Sequence, residues 1–265
     1  ETTAFNYACH LVRDYANART IHETAKFDLL EISLVFCLLQ LRIDLTPEQS
    51  AQLWNEGENR GQLTSLFFDP SFVSSLLNIL VATTSHQRIK TLSIQAIVAG
   101  LSLPTNRFAT ILYNGSDEIN RENVVGAIYN AVDVVMRSGS PNGIFIQSSC
   151  ELISLLIEDA SSRFDLILAA RSSTTHFPLN LLFHPAIESA LGKEYENVVK
   201  KLLFVCKQLI DDPELQQSWS QYREQFTNLS VYGSHSVASV AAEIVGVLGI
   251  ERESDYSIQF ANSLL

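Results

Sequence analysis

The chain has 265 residues, 46% of them apolar and only 18% charged, with a net charge of −11 and a pI of about 5.0. An ordinary globular share of apolar residues excludes a disordered chain, and the acidic balance argues against nucleic acid as the main ligand, because phosphate binding needs a basic footprint. The length allows two domains or one elongated repeat domain. So few charges mean that much of the surface is hidden, in a broad core or against a partner. The longest apolar run, residues 29–41, is broken by Glu31, Ser33 and Gln40, short of the ~18 uninterrupted residues of a membrane span. No signal peptide is legible. The start at Glu1, without Met, reads as a piece of a longer chain.

In chain order the dominant period is helical. Phe5, Ala8, Leu11, Val12, Tyr15 and Ala16 follow the i, i+3, i+4, i+7 template. Thr20 and Glu23 form a capping box ahead of residues 27–43. Thr46-Pro47-Glu48-Gln49 starts another helix, which stops near Gly57, and Asp69-Pro70 starts the next, with a stripe of Phe72, Leu76, Leu77, Leu80 and Val81. Ser85 can cap residues 89–101, which end before Pro104. Residues 108–113 predict a short helix, 119–136 a long one ending at Gly139, 144–157 another, and 164–170 a short one. After a loop at 172–178, residues 179–191 read as one helix broken at His184-Pro185. Residues 195–210 are long and amphipathic, Asp212-Pro213-Glu214 restarts the chain, residues 237–248 follow Gly233, and 256–265 close it. No alternating hairpin pattern occurs. The fold class is therefore all-α, with about a dozen to sixteen helices joined by short connections that favour antiparallel neighbours.

Three helices share a local pattern: Ile94-Gln95-Ala96-Ile97, Cys150-Glu151-Leu152-Ile153 and Ala242-Glu243-Ile244-Val245. Their polar positions, Gln95, Glu151 and Glu243, are 56 and 92 residues apart. The second interval is twice ~46, within the ~40–47-residue period of HEAT and armadillo units. On this pattern, and on the short-long-long rhythm of 106–113, 118–137 and 142–158, the chain resembles the armadillo/HEAT superfamily of α-helical repeats over residues 60–250. The resemblance implies a right-handed α-solenoid of stacked helical units forming a single repeat domain over 1–265. Residues 1–60 would be N-terminal capping helices, 61–250 the armadillo-like units and 251–265 a C-terminal capping helix. An irregular compact helical bundle is the alternative. Importin- and catenin-like armadillo proteins carry an Asn ladder on the third helix of each unit. Here the third-helix polar residues are Gln95, Gln147, Glu151, Glu158 and Glu243, while Asn78 and Asn130 fall on second helices.

Chemistry-bearing motifs are sparse. The sequence contains no phosphate-binding Gly-rich loop, no G-x-S-x-G elbow and no H-E-x-x-H pair. Its six histidines never fall at i, i+3 or i, i+4, and the four cysteines, Cys9, Cys37, Cys150 and Cys206, are far apart with no C-x-x-C. No metal ligand set, cofactor or structural disulfide is expected, and a reducing cytoplasmic or nuclear compartment fits. Gly233-Ser234-His235-Ser236 sets Ser beside His, but adjacent residues diverge on a helix, so the tetrad reads as an N-cap loop. Asp211-Asp212-Pro213-Glu214 reads as helix capping, not metal binding. Glu196, Lys200 and Lys207 can share one helix face.

An extended concave surface built by successive helices is a protein-binding architecture. The expected function is a non-enzymatic interaction scaffold. Its groove residues would be Gln95, Gln147, Glu151, Glu158 and Glu243, and the acidic ones would favour a protein or peptide partner carrying Lys or Arg beside apolar anchors. A helical regulator of a nucleotide-binding partner, such as an exchange factor or chaperone cofactor, and an all-α enzyme of unknown chemistry are the other readings.

Overall fold

The computed structural model describes residue 12 and residues 69–82, 86–102, 106–116, 119–120, 123–137, 142–172, 178–183 and 187–249. Among these, every regular element is a helix and none is a strand. The expected capping segments 1–60 and 251–265, the Ser85 cap, Cys9 and Cys37 lie outside the described residues. In chain order the α-helices are α1 (Pro70–Val81), α2 (Gln87–Leu101), α3 (Arg107–Leu112), α4 (Val124–Arg137), α5 (Gly143–Glu158), α6 (Ala160–Ser172), α7 (Leu179–Leu182), α8 (Ile187–Leu191), α9 (Tyr195–Leu209), α10 (Pro213–Trp219), α11 (Arg223–Tyr232) and α12 (His235–Leu248). Two compact units divide the chain, residues 1–166 and 167–265.

Helix starts follow the capping grammar of the sequence. Asp69 caps α1: its Oδ1 accepts from the Ser71 amide at 2.8 Å, and Pro70 occupies the first turn, where a missing N–H costs nothing. Asn142 caps α5 by accepting from the Phe145 amide at 2.7 Å, and Asp212 caps α10 by accepting from Leu215 at 3.1 Å. Two boundaries differ from the sequence pattern. The helix predicted from 119 begins only at Val124. Ile119 is instead buried in a tight turn, exchanging backbone bonds with Ser116 at 2.9 and 3.2 Å. The short helix predicted at 164–170 runs from Ala160 to Ser172, because the Asp159 carboxylate accepts from the Ser162 amide at 2.8 Å and starts it a turn earlier.

In the first unit α1 packs on α2, α3 and α4, while α2 packs on α5 and α3, and α4 on α5. Phe72, Leu76, Leu77 and Leu80 of α1 and Ile94 and Ile97 of α2 are fully buried, each contributing about 1.5–3 kcal/mol relative to exposure. Two side chains of α2 tether the backbone of α1 inside this apolar layer. Ser93 Oγ donates to the Leu76 carbonyl at 2.7 Å, and the buried Lys90 Nζ donates to the Leu80 carbonyl at 2.7 Å. The second bond puts a cation on the last turn of α1, where the free carbonyls need donors.

In the second unit α12 is the hub, packing on α11, α9 and α10, and α9 also meets α7 and α8. Trp219, Phe226, Leu203 and Ile244 are buried there. Phe183, at the end of α7, stacks on Tyr222 with ring centroids 5.8 Å apart and meets Phe226 edge-on at 5.1 Å, both favourable arrangements. Arg171 forks onto Asp212 and reaches Glu214 at 3.0 Å.

Candidate functional site

Among the described residues two clefts are candidates, one in each unit. The first lies between α2 and α5, which pack closely along their length. It has a volume of about 230 Å³ and is lined by Gln95, Val98 and Ala99 from α2 and by Gln147, Ser148 and Glu151 from α5. The helical period explains the convergence. Gln147 and Glu151 are four residues apart on one face of α5, and Gln95 sits one turn before Val98 and Ala99 on α2. Gln95 Nε2 donates to Ser148 Oγ at 3.3 Å across the cleft. Side-chain amides donate and accept, and a carboxylate only accepts. The cleft can therefore pair with a peptide backbone and with the N–H groups of a Lys or Arg side chain.

Of the five groove residues expected from the sequence, Gln95, Gln147 and Glu151 share this cleft. Glu158 lies two turns on from Glu151, exposed at the C-terminal end of α5. Glu243 belongs to α12 in the other unit and forms an ion pair with Lys207 of α9.

The second cleft lies wholly in the second unit and is larger, about 600 Å³. Its floor is apolar, with Leu182, Ile187, Val199, Leu229 and Val237 from five helices, α7, α8, α9, α11 and α12. Phe183 and Tyr232 add aromatic rings to the lining, and Glu188, Tyr195, Glu196 and Ser234 add polar groups. Glu196 holds Lys200 at 2.8 Å, one turn along α9, and its Oε1 accepts from Ser234 Oγ at 2.7 Å. Lys200 first, and then the Ser234 hydroxyl, hold the Glu196 carboxyl below the usual carboxylate range. Partial burial first, and then the nearby Glu188 charge, push the Tyr195 phenol up. Glu188 and Glu196 thus place two carboxylates on the lining of the cleft.

The Gly233-Ser234-His235-Ser236 tetrad does begin α12, with Ser234 in the capping position. Its hydroxyl, however, bonds Glu196 instead of an amide of its own helix. Asp212 caps α10 and pairs with Arg171, and Glu214, in the first turn of α10, pairs with Arg171 as well. Among the described residues no three His, Cys, Asp or Glu converge to hold a metal ion, and no helix is long and apolar enough to cross a membrane.

The sequence pattern did not single out the larger cleft. Two signals for it were present: the break at His184-Pro185, which splits one apolar run into α7 and α8, and the apolar end of α11 just before Gly233. Only the tertiary arrangement brings these distant segments to one cavity. No family model matches this chain, and no curated protein or solved structure matches it either.

Proposed function

We propose that the protein is a protein-interaction module whose stacked helices form a groove for a peptide segment or partner helix. The carrying observation is the meeting of Gln95, Gln147 and Glu151 in one cleft between α2 and α5. The packing of the first unit favours a repeat origin for this groove. α1 followed by α2, and α4 followed by α5, are two helical pairs, and like packs on like: α1 on α4 and α2 on α5. Stacking of equivalent helices is how α-solenoids build a continuous surface from units that cannot bury their own apolar faces. The 56-residue spacing of Gln95 and Glu151 is the step between these pairs. A partner segment carrying Lys or Arg would meet Glu151 and Glu158, while apolar side chains beside them supply most of the affinity.

The test is selection of a displayed random peptide library on the full chain and on Glu151→Lys/Glu158→Lys. Enrichment of sequences with Lys or Arg beside apolar residues on the wild type, lost on the variant, is the expected result. Enriched peptides without basic residues, or equally enriched on the variant, would overturn the groove assignment.

A further inference from the structure

We infer that the cleft of the second unit is a separate docking site for an amphipathic peptide segment bearing basic residues next to a pair of large apolar side chains. The inference stands on the second unit alone and does not depend on the groove between α2 and α5. Its volume, about 600 Å³, falls in the range of ~300–1,000 Å³ typical of built ligand sites. The floor of Leu182, Ile187, Val199 and Val237 offers an inserted side chain only carbon, so burying an apolar side chain there is favourable. Of the lining residues, Tyr232 is 84% exposed. A large aromatic held so far out of the core is the residue type that carries energy at interfaces, because its ring buries area at little entropic cost.

Charge selects the occupant. Glu188 and Glu196 are both exposed and both line the cleft, and no Lys or Arg lines it among the described residues. Lys200 engages Glu196 from the next turn, leaving Glu188 as the less compensated charge. An acidic segment would be repelled. A neutral one would gain the floor but nothing at the rim. A segment with Lys or Arg beside its apolar anchors gains both, and its approach is steered by the acidic chain as a whole.

The experiment uses an array of synthetic 12-residue amphipathic peptides in which the apolar pair (Leu, Phe or Trp) and the flanking residues (Lys, Arg, Ser or Glu) vary independently. The probe is the full chain, with Tyr232→Ala, Glu188→Lys and Glu151→Lys compared. Tyr232 and Glu188 are exposed, so the fold should tolerate their replacement, and circular dichroism checks each variant. Basic flanks should raise binding at least tenfold over acidic ones. Tyr232→Ala and Glu188→Lys should each lose most of it, and Glu151→Lys should not. Binding indifferent to flank charge, binding kept by both second-unit variants, or no binding to any peptide would overturn the inference. Loss on Glu151→Lys alone would move the binding to the first unit and leave the proposed function standing.

Discussion

Gly100 shows how much of the packing rests on a single missing methyl. A Cβ at this position would lie 2.5 Å from the ring of Phe108, which is fully buried. Alanine is the better helix former by about 1 kcal/mol, but overpacking against a rigid buried ring costs about 1–3 kcal/mol. Gly100→Ala is therefore expected to destabilise the chain, seen as a lower urea midpoint, and a raised midpoint would contradict the contact. Lys90 makes a second residue-scale prediction. Burial lowers its pKa from 10.5. In the folded chain it gives up its proton before the unfolded chain does, so between the folded pKa and 10.5 the unfolded state binds more protons. Stability from this group then rises with pH across that window, and the cost of burying the charge is complete below it. Tyr113 and Tyr195, whose pKa values are raised, act the other way above pH 10. The readout is accordingly the difference between wild type and Lys90→Met in urea titrations from pH 7 to 10.5. Wild type should gain on the variant as pH rises, and a constant difference would sink the assignment.

At the scale of elements, the helices with explicit start signals were legible and the others less so. Asp69-Pro70, Asn142-Gly143 and Asp212-Pro213 each place a side-chain acceptor and a permissive first-turn residue, and helices begin there. The start of α6 was missed because residues 160–163 carry no apolar stripe, and only the Asp159 cap marks it. The start of α4 was placed too early because Ile119 looks like a first helical turn, whereas its burial serves a turn closed by Ser116. Asp212 joins two of these elements, capping α10 while receiving Arg171. Arg171 first, and the Leu215 amide after it, lower its pKa from 3.8 despite partial burial. The stabilisation is complete above pH 3.8 and is lost as pH falls through the lower folded value. Asp212→Ala should cost about 1–2 kcal/mol at neutral pH through the lost cap and ion pair. Because the carboxylate is gone, thermal melts of the variant should converge on wild type in strong acid. A cost that persists there would assign it to packing instead.

For the whole molecule, the all-helical class was written in the period of the apolar residues, and its groove only in part. Gln95 and Glu151 could be paired from sequence because their helices share a short local pattern, Ile94-Gln95-Ala96-Ile97 and Cys150-Glu151-Leu152-Ile153, and α2 packs on α5. Glu243 shares the local pattern, and within the second unit it pairs with Lys207. The larger cleft was not singled out, because its walls come from five helices, α7, α8, α9, α11 and α12, with no common motif to link the two local signals. The central claim is that Glu151 meets a basic residue of a bound segment, and a charge-swap cycle tests it most directly. Glu151→Lys on the full chain and Lys→Glu or Arg→Glu in a library-selected peptide should each weaken binding about tenfold or more. The swapped pair should regain most of that loss, giving a coupling of about 1–3 kcal/mol by titration calorimetry. Losses that simply add, with no recovery in the swapped pair, would contradict the account.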